Sequence, residues 1–171
     1  CARCCPSRAA LLTGLYPHQA GVGHMLGNWS TPGYTNGLNE RCATIAELLG
    51  DAGYHTYAVG KWHVGGFGKG QSRNLPRHRG FERFYGTASG GNYFAPKPLF
   101  QDDTPIAPEG ENYYTTNAFS EAAVRFIDDH RRADDGKPFF LYLCYTAPHF
   151  PLQALPEDIA RYRGKYRHGW D

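Results

Sequence analysis

The sequence predicts an α/β fold in which helices flank a central parallel or mixed sheet. Two observations lead to this class. Helix signals alternate with short apolar strands along the chain, and this alternation is typical of sheets covered by helices. The chain also has 171 residues, with 41% hydrophobic residues, which is enough to bury a core in one domain.

The first third of the chain contains two predicted helices and one strand. A helix is predicted over 6–13, with a proline near its start and Gly14 behind it. Thr44 and Glu47 form the T-x-x-E capping box of a second helix. A strand over 54–59 follows. The apolar stripe expected to pack the second helix on the sheet consists of Ile45, Leu48 and Leu49.

A longer helix near Thr116 and a final strand are predicted further along. Residues at i, i+3, i+4, i+7 and i+8 spacing are apolar and indicate an amphipathic helix: Phe119, Ala122, Ala123, Phe126 and Ile127. The run FFLYLCY at 139–145 predicts a strand that is buried on both faces. A last helix is expected from Pro156.

The stretch between these units, 65–114, is dense in Gly, Pro and Asn and predicts long loops with a short hairpin. Loops of that length in a compact domain are usually functional. Lys61, His63 and His149 follow predicted strands, and ligands of open α/β sheets bind outside the carboxyl ends of strands.

Composition excludes some partners. A net charge of +2 is too small to favour nucleic acid, and no apolar run approaches the roughly 18 residues of a membrane span. The sequence does not begin with Met and ends on YRHGWD. We therefore expect residues 1–171 to be part of a longer protein, truncated at both ends.

Three of the five cysteines, Cys1, Cys4 and Cys5, stand at the very start. A structural zinc site on the C-x-x-C pair would need further ligands, and His18 and His24 are the nearby candidates, at an unusual spacing. A redox pair would need a strand immediately before it. The remaining cysteines, Cys42 and Cys144, have apolar neighbours and are interpreted as small core residues.

A fourth interpretation rests on a longer pattern. The stretch CCPSRAALLTG at 4–14 matches C-x-P-S-R-x-x-x-L-T-G at every fixed position, and the register to the proline and the arginine selects Cys4. The pattern resembles the signature of the sulfatase family, in which that cysteine is oxidised to formylglycine. GYHTYAVGKWHVG and PFFLYLCYTAPHFP resemble further blocks of the family, and RGFERFYG and YRGKY also look like sulfatase sequence.

The resemblance implies a fold and a set of roles. Residues 1–171 would form part of an alkaline-phosphatase-like sulfatase catalytic domain at its N-terminal side. By resemblance, Lys61 contacts the sulfate, His63 is the base for product release, and His149 contacts the bridging oxygen and protonates the leaving group. Arg8 lies one helical turn after Cys4 and is assigned to the formylglycine hydroxyls. Taken singly, the lysine, the histidines and the arginine would be ordinary surface or loop residues.

The resemblance also implies a divalent metal, calcium or alternatively magnesium, held by oxygen ligands. The acidic pair and the Asp-Asn pair that supply those ligands in the family do not occur here, which leaves only the formylglycine oxygen at position 4. Asp102 and Asp103 lack metal-ligand spacing and are interpreted as solvated charges, and His18 and His24 as structural residues.

The predicted function is hydrolysis of an aryl or carbohydrate sulfate ester. Two alternatives stay open: a phosphonate monoester hydrolase or phosphodiesterase of the same superfamily, and a non-catalytic homologue with unmodified Cys4. The expected partner is a formylglycine-generating or anaerobic sulfatase-maturating enzyme, and the expected location is periplasmic, extracellular or lysosomal. The 171-residue piece is expected to be inactive alone.

Overall fold

The computed structural model describes residues 1–27, 29–65 and 74–169. Its α-helices are α1 (Cys4–Thr13), α2 (Ile45–Asp51), α3 (Thr115–Ala133) and α4 (Pro156–Tyr162), with a 3₁₀ helix at Pro76–Arg79. Its strands are β1 (His55–Lys61), β2 (Arg83–Thr87), β3 (Leu99–Gln101), β4 (Thr104–Ile106) and β5 (Phe139–Cys144).

The strands form one mixed sheet in the order β4-β3-β2-β1-β5. β1 pairs in parallel with β2 and with β5, whereas β3 is antiparallel to both β2 and β4. The predicted α/β fold with a mixed sheet is confirmed. Because β1, β2 and β5 run in the same direction, their carboxyl ends meet at one edge of the sheet.

Helices cover both faces of the sheet, and the alternation of side chains along β1 explains how. Tyr57 and Val59 point to one face, where they pack with Phe119 and Phe126 of α3. Ala58 points to the opposite face and joins a second core that includes residues of α1 and α2. In the part of the chain that the structure describes, no helix combines the length and apolar composition needed to cross a bilayer.

Helix α1 begins at Cys4, two residues before the predicted start. Pro6 therefore lies in the first turn, where a missing N–H costs no intrahelical hydrogen bond. The helix ends at Gly14, which adopts φ 68° and donates its N–H to the Ala10 carbonyl at 2.8 Å. The shift places the first cysteine of the motif at the amino end of the helix rather than before it.

The predicted start of α2 is confirmed, but the predicted packing face is wrong. Thr44 Oγ1 accepts from the Glu47 amide at 3.1 Å, and Glu47 Oε2 accepts from the Thr44 amide at 2.6 Å. Ile45 and Leu48 are nevertheless 40% and 61% exposed, and Ala46 is the buried residue. A seven-residue helix has a narrow contact face, and here that face carries the alanine.

Two further predictions are corrected. β5 is not buried on both faces: Phe139 and Leu143 are 38% and 37% exposed, because within the described residues this strand lies at the sheet edge with β1 on one side. The stretch predicted as long loops contains β2, β3, β4 and the 3₁₀ helix. The predicted hairpin is confirmed as β3–β4, which turns at Asp102. Part of that stretch, 66–73, lies outside the described residues.

Candidate active site

The candidate site lies at the end of the sheet where the carboxyl ends of the parallel strands β1, β2 and β5 meet. Lys61 is the last residue of β1. The next two residues run beside the end of β2: the Trp62 amide donates to the Thr87 carbonyl at 2.9 Å, and the His63 amide donates to the Ala88 carbonyl at 3.0 Å. These two hydrogen bonds fasten the Lys61–His63 segment to the residues at and just after the end of β2. The amino end of α1 reaches the same edge, which brings Cys4 to it.

Cys4 and Cys5 differ in accessibility, although they are neighbours in the sequence. Cys4 is half-buried, whereas Cys5 is fully buried. The pKa of the Cys5 thiol is raised to about 11, mainly because the thiol is buried. A buried thiol that keeps its proton is a poor nucleophile. Of the two neighbouring thiols, that of Cys4 is therefore the more accessible.

Arg8 links α1 to the end of β1. It lies one turn after Cys4, and its Nη1 donates a hydrogen bond to the main-chain carbonyl of Lys61. The guanidinium also lies beside the hydroxyl of Tyr142 and the thiol of Cys144, two groups whose pKa is raised chiefly by burial. Arg8 thus links the helix to β1 and lies next to β5.

Lys61 is buried, and the part of the chain that the structure describes offers its ammonium no compensating group. Its side chain is 2% exposed, and among the described residues its Nζ has no hydrogen-bond partner. Burial lowers its pKa, and the nearby Arg8 acts in the same direction, whereas Cys4 and Cys5 oppose the shift. A buried ammonium is costly unless an anion pairs with it. The position is therefore suited to an anionic ligand.

His63 is a neutral imidazole next to that ammonium. It is 9% exposed, and its Nδ1 has no hydrogen-bond partner in the described part of the chain. Its pKa is lowered to about 4, mainly by burial and additionally by the nearby positive charges of Lys61 and Arg8. The residue adopts φ 58°, a left-handed conformation that is rare for a non-glycine residue and is often found at functional sites. An unprotonated imidazole can accept a proton.

His149 lies in the loop after β5 and is exposed. Tyr93 anchors this loop: its Oη donates to the His149 carbonyl at 2.6 Å, and its amide donates to Gln153 Oε1 at 2.7 Å. Gly90 lies next to both Lys61 and His149. A Cβ atom at this position would stand 3.4 Å from His149 Cε1 and would overlap Lys61 Nζ. The five predicted residues thus gather at one edge of the sheet.

Sequence reasoning missed the two residues that position this loop, Tyr93 and Gly90. Gly90 begins a Gly-Gly pair shortly after the end of β2, and a glycine pair at the carboxyl end of a parallel strand is a usable signal for close approach. Tyr93 is one of many aromatic residues in this chain, and its position in the sequence carries no signal of its own. It is buried, yet its hydroxyl also has a directed partner.

The metal expected from the resemblance does not fit the described residues. Among them, the group of three or more His, Cys, Asp or Glu side chains able to hold an ion is Cys4, Cys5 and His63. Calcium and magnesium prefer oxygen ligands, whereas these donors are two thiols and an imidazole. Nothing in the chemistry below is therefore assigned to that metal.

The other side chains considered from the sequence have structural partners. Asp102 Oδ1 accepts from the Phe84 amide at 2.8 Å, and Asp103 lies 3.7 Å from Arg77. His18 contacts the Tyr34 hydroxyl at 3.0 Å, and the ring of His24 packs edge-on against Trp29. None of these four belongs to the donor cluster found in the described residues.

Comparison with known proteins decides the family. The family model named Sulfatase matches residues 1–171, which is the whole chain. The chain belongs to the sulfatase family. Its similarity extends from the cysteine motif through the loop that carries His149.

Two curated sulfatases illustrate the relationship. The chain is 36% identical to an uncharacterized sulfatase of Schizosaccharomyces pombe, with 98% of this chain and 33% of the relative covered. It is also 36% identical to an arylsulfatase of Klebsiella aerogenes, with 96% and 37% covered. The chain thus spans about a third of the length of these relatives.

Two solved structures share the fold. The crystal structure of Ps i-CgsB in complex with k-i-k-neocarrahexaose superposes with a TM-score of 0.77 at 35% identity, covering 93% of this chain and 38% of that one. BT4656 in complex with its substrate D-glucosamine-2-N,6-O-disulfate gives a TM-score of 0.72 at 26% identity, covering 96% and 29%.

Proposed function

We propose that the protein containing this chain hydrolyses sulfate esters, with position 4 as the nucleophile after oxidation of Cys4 to formylglycine. The observation that carries the proposal is the buried Lys61 ammonium, which has no hydrogen-bond partner among the described residues and lies within electrostatic reach of Cys4. A sulfate group supplies the missing negative charge. The first amides of α1 and the guanidinium of Arg8 add positive potential on the same side.

Position 4 supplies nucleophilic chemistry that an unmodified cysteine or serine lacks. As the hydrate of formylglycine it offers two hydroxyls on one carbon, one to attack sulfur and displace the alcohol, the other to expel sulfate once it loses its proton. Such a nucleophile contains its own release step. A serine at this position would stop at a stable sulfate ester.

The surrounding residues then divide the proton transfers and the charge. Lys61 holds a sulfate oxygen, and its charge stabilises the negative charge that develops there. His149 gives a proton to the departing alcohol oxygen and stays accessible for this, because its ring is on an exposed loop. His63, neutral because burial lowers its pKa to about 4, takes the proton whose removal releases sulfate. Arg8 orients the hydroxyls at position 4.

Carbohydrate sulfates are the proposed substrate class. Two structural neighbours with 35% and 26% identity are described in complex with neocarrahexaose and with D-glucosamine-2-N,6-O-disulfate. Those ligands support, for this chain, a sugar carrying the sulfate that Lys61 binds. An aryl sulfate remains a suitable assay substrate, because the chemistry at sulfur is the same.

The experiment uses the full-length protein, co-expressed with a formylglycine-generating enzyme. Hydrolysis of an aryl sulfate is compared with hydrolysis of the phosphodiester and phosphonate monoester of the same aryl alcohol. The sulfate is expected to be preferred, and Cys4→Ala to abolish activity, while Cys1→Ala, outside the motif, retains it. Mass spectrometry of the peptide 4–8 should show loss of one sulfur and two hydrogens and gain of one oxygen.

Two results would contradict the proposal. One is a clear preference for the phosphodiester or the phosphonate, which would assign the protein to the phosphoryl branch of the superfamily. The other is full activity in Cys4→Ala, or an active enzyme in which the 4–8 peptide keeps its thiols.

A further inference from the structure

Four soft donor atoms meet at the amino end of α1. The thiols of Cys4 and Cys5 and a ring nitrogen of His63 lie within 4.8 Å of one another. Met25 adds a thioether: its Sδ lies 3.7 Å from Cys4 Sγ and 3.8 Å from Cys5 Sγ. Met25 is the single methionine of the chain, so this contact is not one of many methionine contacts in a methionine-rich core.

The sulfur spacing matches that of ligands around one metal ion. Two ligands with metal–sulfur bonds of about 2.3 Å at a tetrahedral angle lie roughly 3.8 Å apart. The distances from Met25 Sδ to the two thiols, 3.7 and 3.8 Å, are of this size. The thiols and the imidazole nitrogen, which lie within 4.8 Å of one another, would approach an ion bound between them.

We propose that the unconverted form of this protein, in which Cys4 is still a cysteine, binds one Cu(I) ion through Cys4, Cys5, Met25 and His63. Thiolate and thioether ligands select soft ions, and a thioether is a poor ligand for zinc, calcium or magnesium. The site goes beyond the proposed hydrolysis and is separate from it in time, because oxidation at position 4 removes one of its sulfur atoms.

The state of His63 supports the site independently of the sulfur atoms. Its side chain is nine-tenths buried, and its Nδ1 has no hydrogen-bond partner in the described part of the chain. An unpaired buried polar atom is costly, and coordination or hydrogen bonding removes that cost.

Charge balance at the site is also favourable. Binding releases the two thiol protons to solvent, so one Cu(I) and two thiolates carry a net charge of −1. Lys61 lies within electrostatic reach of both thiols and has no anionic hydrogen-bond partner of its own in the described residues. Its ammonium compensates the charge of the complex.

Such binding would control the chemistry of Cys4. A sulfur atom held by Cu(I) is withheld from oxidation by other agents, and release of the ion would be required before conversion to the aldehyde. Cys5, which occupies a variable position of the motif, and Met25 then have a role in the precursor that they lack in the converted enzyme.

The experiment uses full-length protein produced without any maturation activity, and a second sample converted to formylglycine. Cu(I) is titrated under reducing conditions against a chromophoric Cu(I) chelator. The unconverted protein should take up one ion per chain. Loss of a residue that only supports a metal ligand lowers metal affinity about 10- to 100-fold. Loss of a ligand itself, in Met25→Leu or Cys5→Ala, should therefore weaken Cu(I) binding about tenfold or more. Cys1→Ala, which alters an exposed cysteine outside the cluster, should bind as the parent does.

Met25→Leu conserves volume, so it keeps the proposal testable if Cys5→Ala fails to fold, and circular dichroism verifies the fold. Unchanged affinity in folded Met25→Leu would overturn the site, as would equal binding by the converted protein. Displacement of Cu(I) by an equal concentration of Zn²⁺ would overturn the assignment to a soft ion. Sulfate ester hydrolysis is not measured in this titration, so its outcome leaves the proposed function unaffected.

Discussion

The guanidinium of Arg8 on α1 donates a hydrogen bond to the main-chain carbonyl of Lys61 at the end of β1. This contact joins the helix that carries the nucleophile to the strand that carries the proposed sulfate-binding lysine. The two residues are 53 positions apart in the sequence. Replacement of Arg8 should therefore change the activity, as should replacement of Gly90 or Tyr93, and the burial of His63 should affect stability.

Replacement Arg8→Lys keeps the charge but removes the planar fork of donors. The lysine cannot hold the Lys61 carbonyl and the hydroxyls at position 4 together, so kcat/KM for an aryl sulfate should fall by roughly 100-fold. Steady-state kinetics on the full-length protein measure this. Arg131→Lys, on the exposed side of α3, is the matched control and should retain full activity. Equal activity of both variants would show that the fork is not required.

Replacement Gly90→Ala adds a methyl group where Lys61 Nζ lies. The lysine end is flexible and should move aside, so the fold is kept while the ammonium is displaced from the sulfate. A misplacement of about 1 Å can cost roughly 100-fold in rate, and a loss of tenfold or more in kcat/KM is expected. Gly50→Ala is the control, because a Cβ there meets no atom within 4 Å and alanine favours a helix. A Gly90→Ala enzyme with parental kinetics would argue against Lys61 as the sulfate ligand.

Replacement Tyr93→Phe removes the hydrogen bond to the His149 carbonyl, which measures 2.6 Å. A hydrogen bond contributes about 1 kcal/mol net, which corresponds to roughly fivefold in rate if it acts on the position of His149. The loss should be larger for substrates with poor leaving groups, because they depend more on protonation. Tyr85→Phe, whose hydroxyl pairs with Tyr113 on the opposite face of the sheet, should show no such trend. A uniform loss across leaving groups would indicate a purely structural role for Tyr93.

His63 predicts a specific dependence of stability on pH. Its pKa is lowered to about 4 in the folded protein, against about 6.5 in an unfolded chain, so between these values the unfolded state binds the additional proton. Stability is therefore full above about pH 6.5 and decreases as pH falls toward 4, by about 1.4 kcal/mol per unit for one proton. Urea unfolding at several pH values should show this loss. In His63→Gln the free energy of unfolding should depend less steeply on pH, by the contribution of about one proton. Identical slopes in the two proteins would contradict the burial argument.

His55 should act in the opposite direction. Asp135 and Glu82 each accept a hydrogen bond from its ring at 2.7 Å, and they raise its pKa. Its contribution is present below the unfolded pKa and is lost as pH rises through the folded pKa. His55→Gln should therefore lower stability most at mildly acidic pH and least at alkaline pH. The same urea series measures it, and a variant deficit that grows with pH would be inconsistent with these ion pairs.

Local signals predicted the elements that depend on neighbours in the sequence. The capping box of Thr44 and Glu47 placed the start of α2, and the spacing from Phe119 to Phe126 placed the buried stripe of α3. Local signals gave wrong predictions where tertiary packing determines which side chains are buried. Ile45 and Leu48 are exposed although they are apolar, because the contact face of α2 was set by its position over β1. Strand β2 was missed, and the hairpin β3–β4 was predicted without bounds, because Gly and Pro are dense in this stretch.

The sequence by itself determined the α/β class, the cysteine motif and its register, and the five residues proposed for the chemistry. The class follows from the order of elements along the chain, and the register follows from the position of Cys4 relative to its proline and arginine. The roles of Lys61, His63 and His149 are what the resemblance to the sulfatase family implies. Only the tertiary structure decided what surrounds that position. It brought the ammonium of Lys61, the imidazole of His63, the thioether of Met25 and the approach at Gly90 to one sheet edge. Burial and unpaired charge are properties of packed atoms, and no pattern in the sequence carries them.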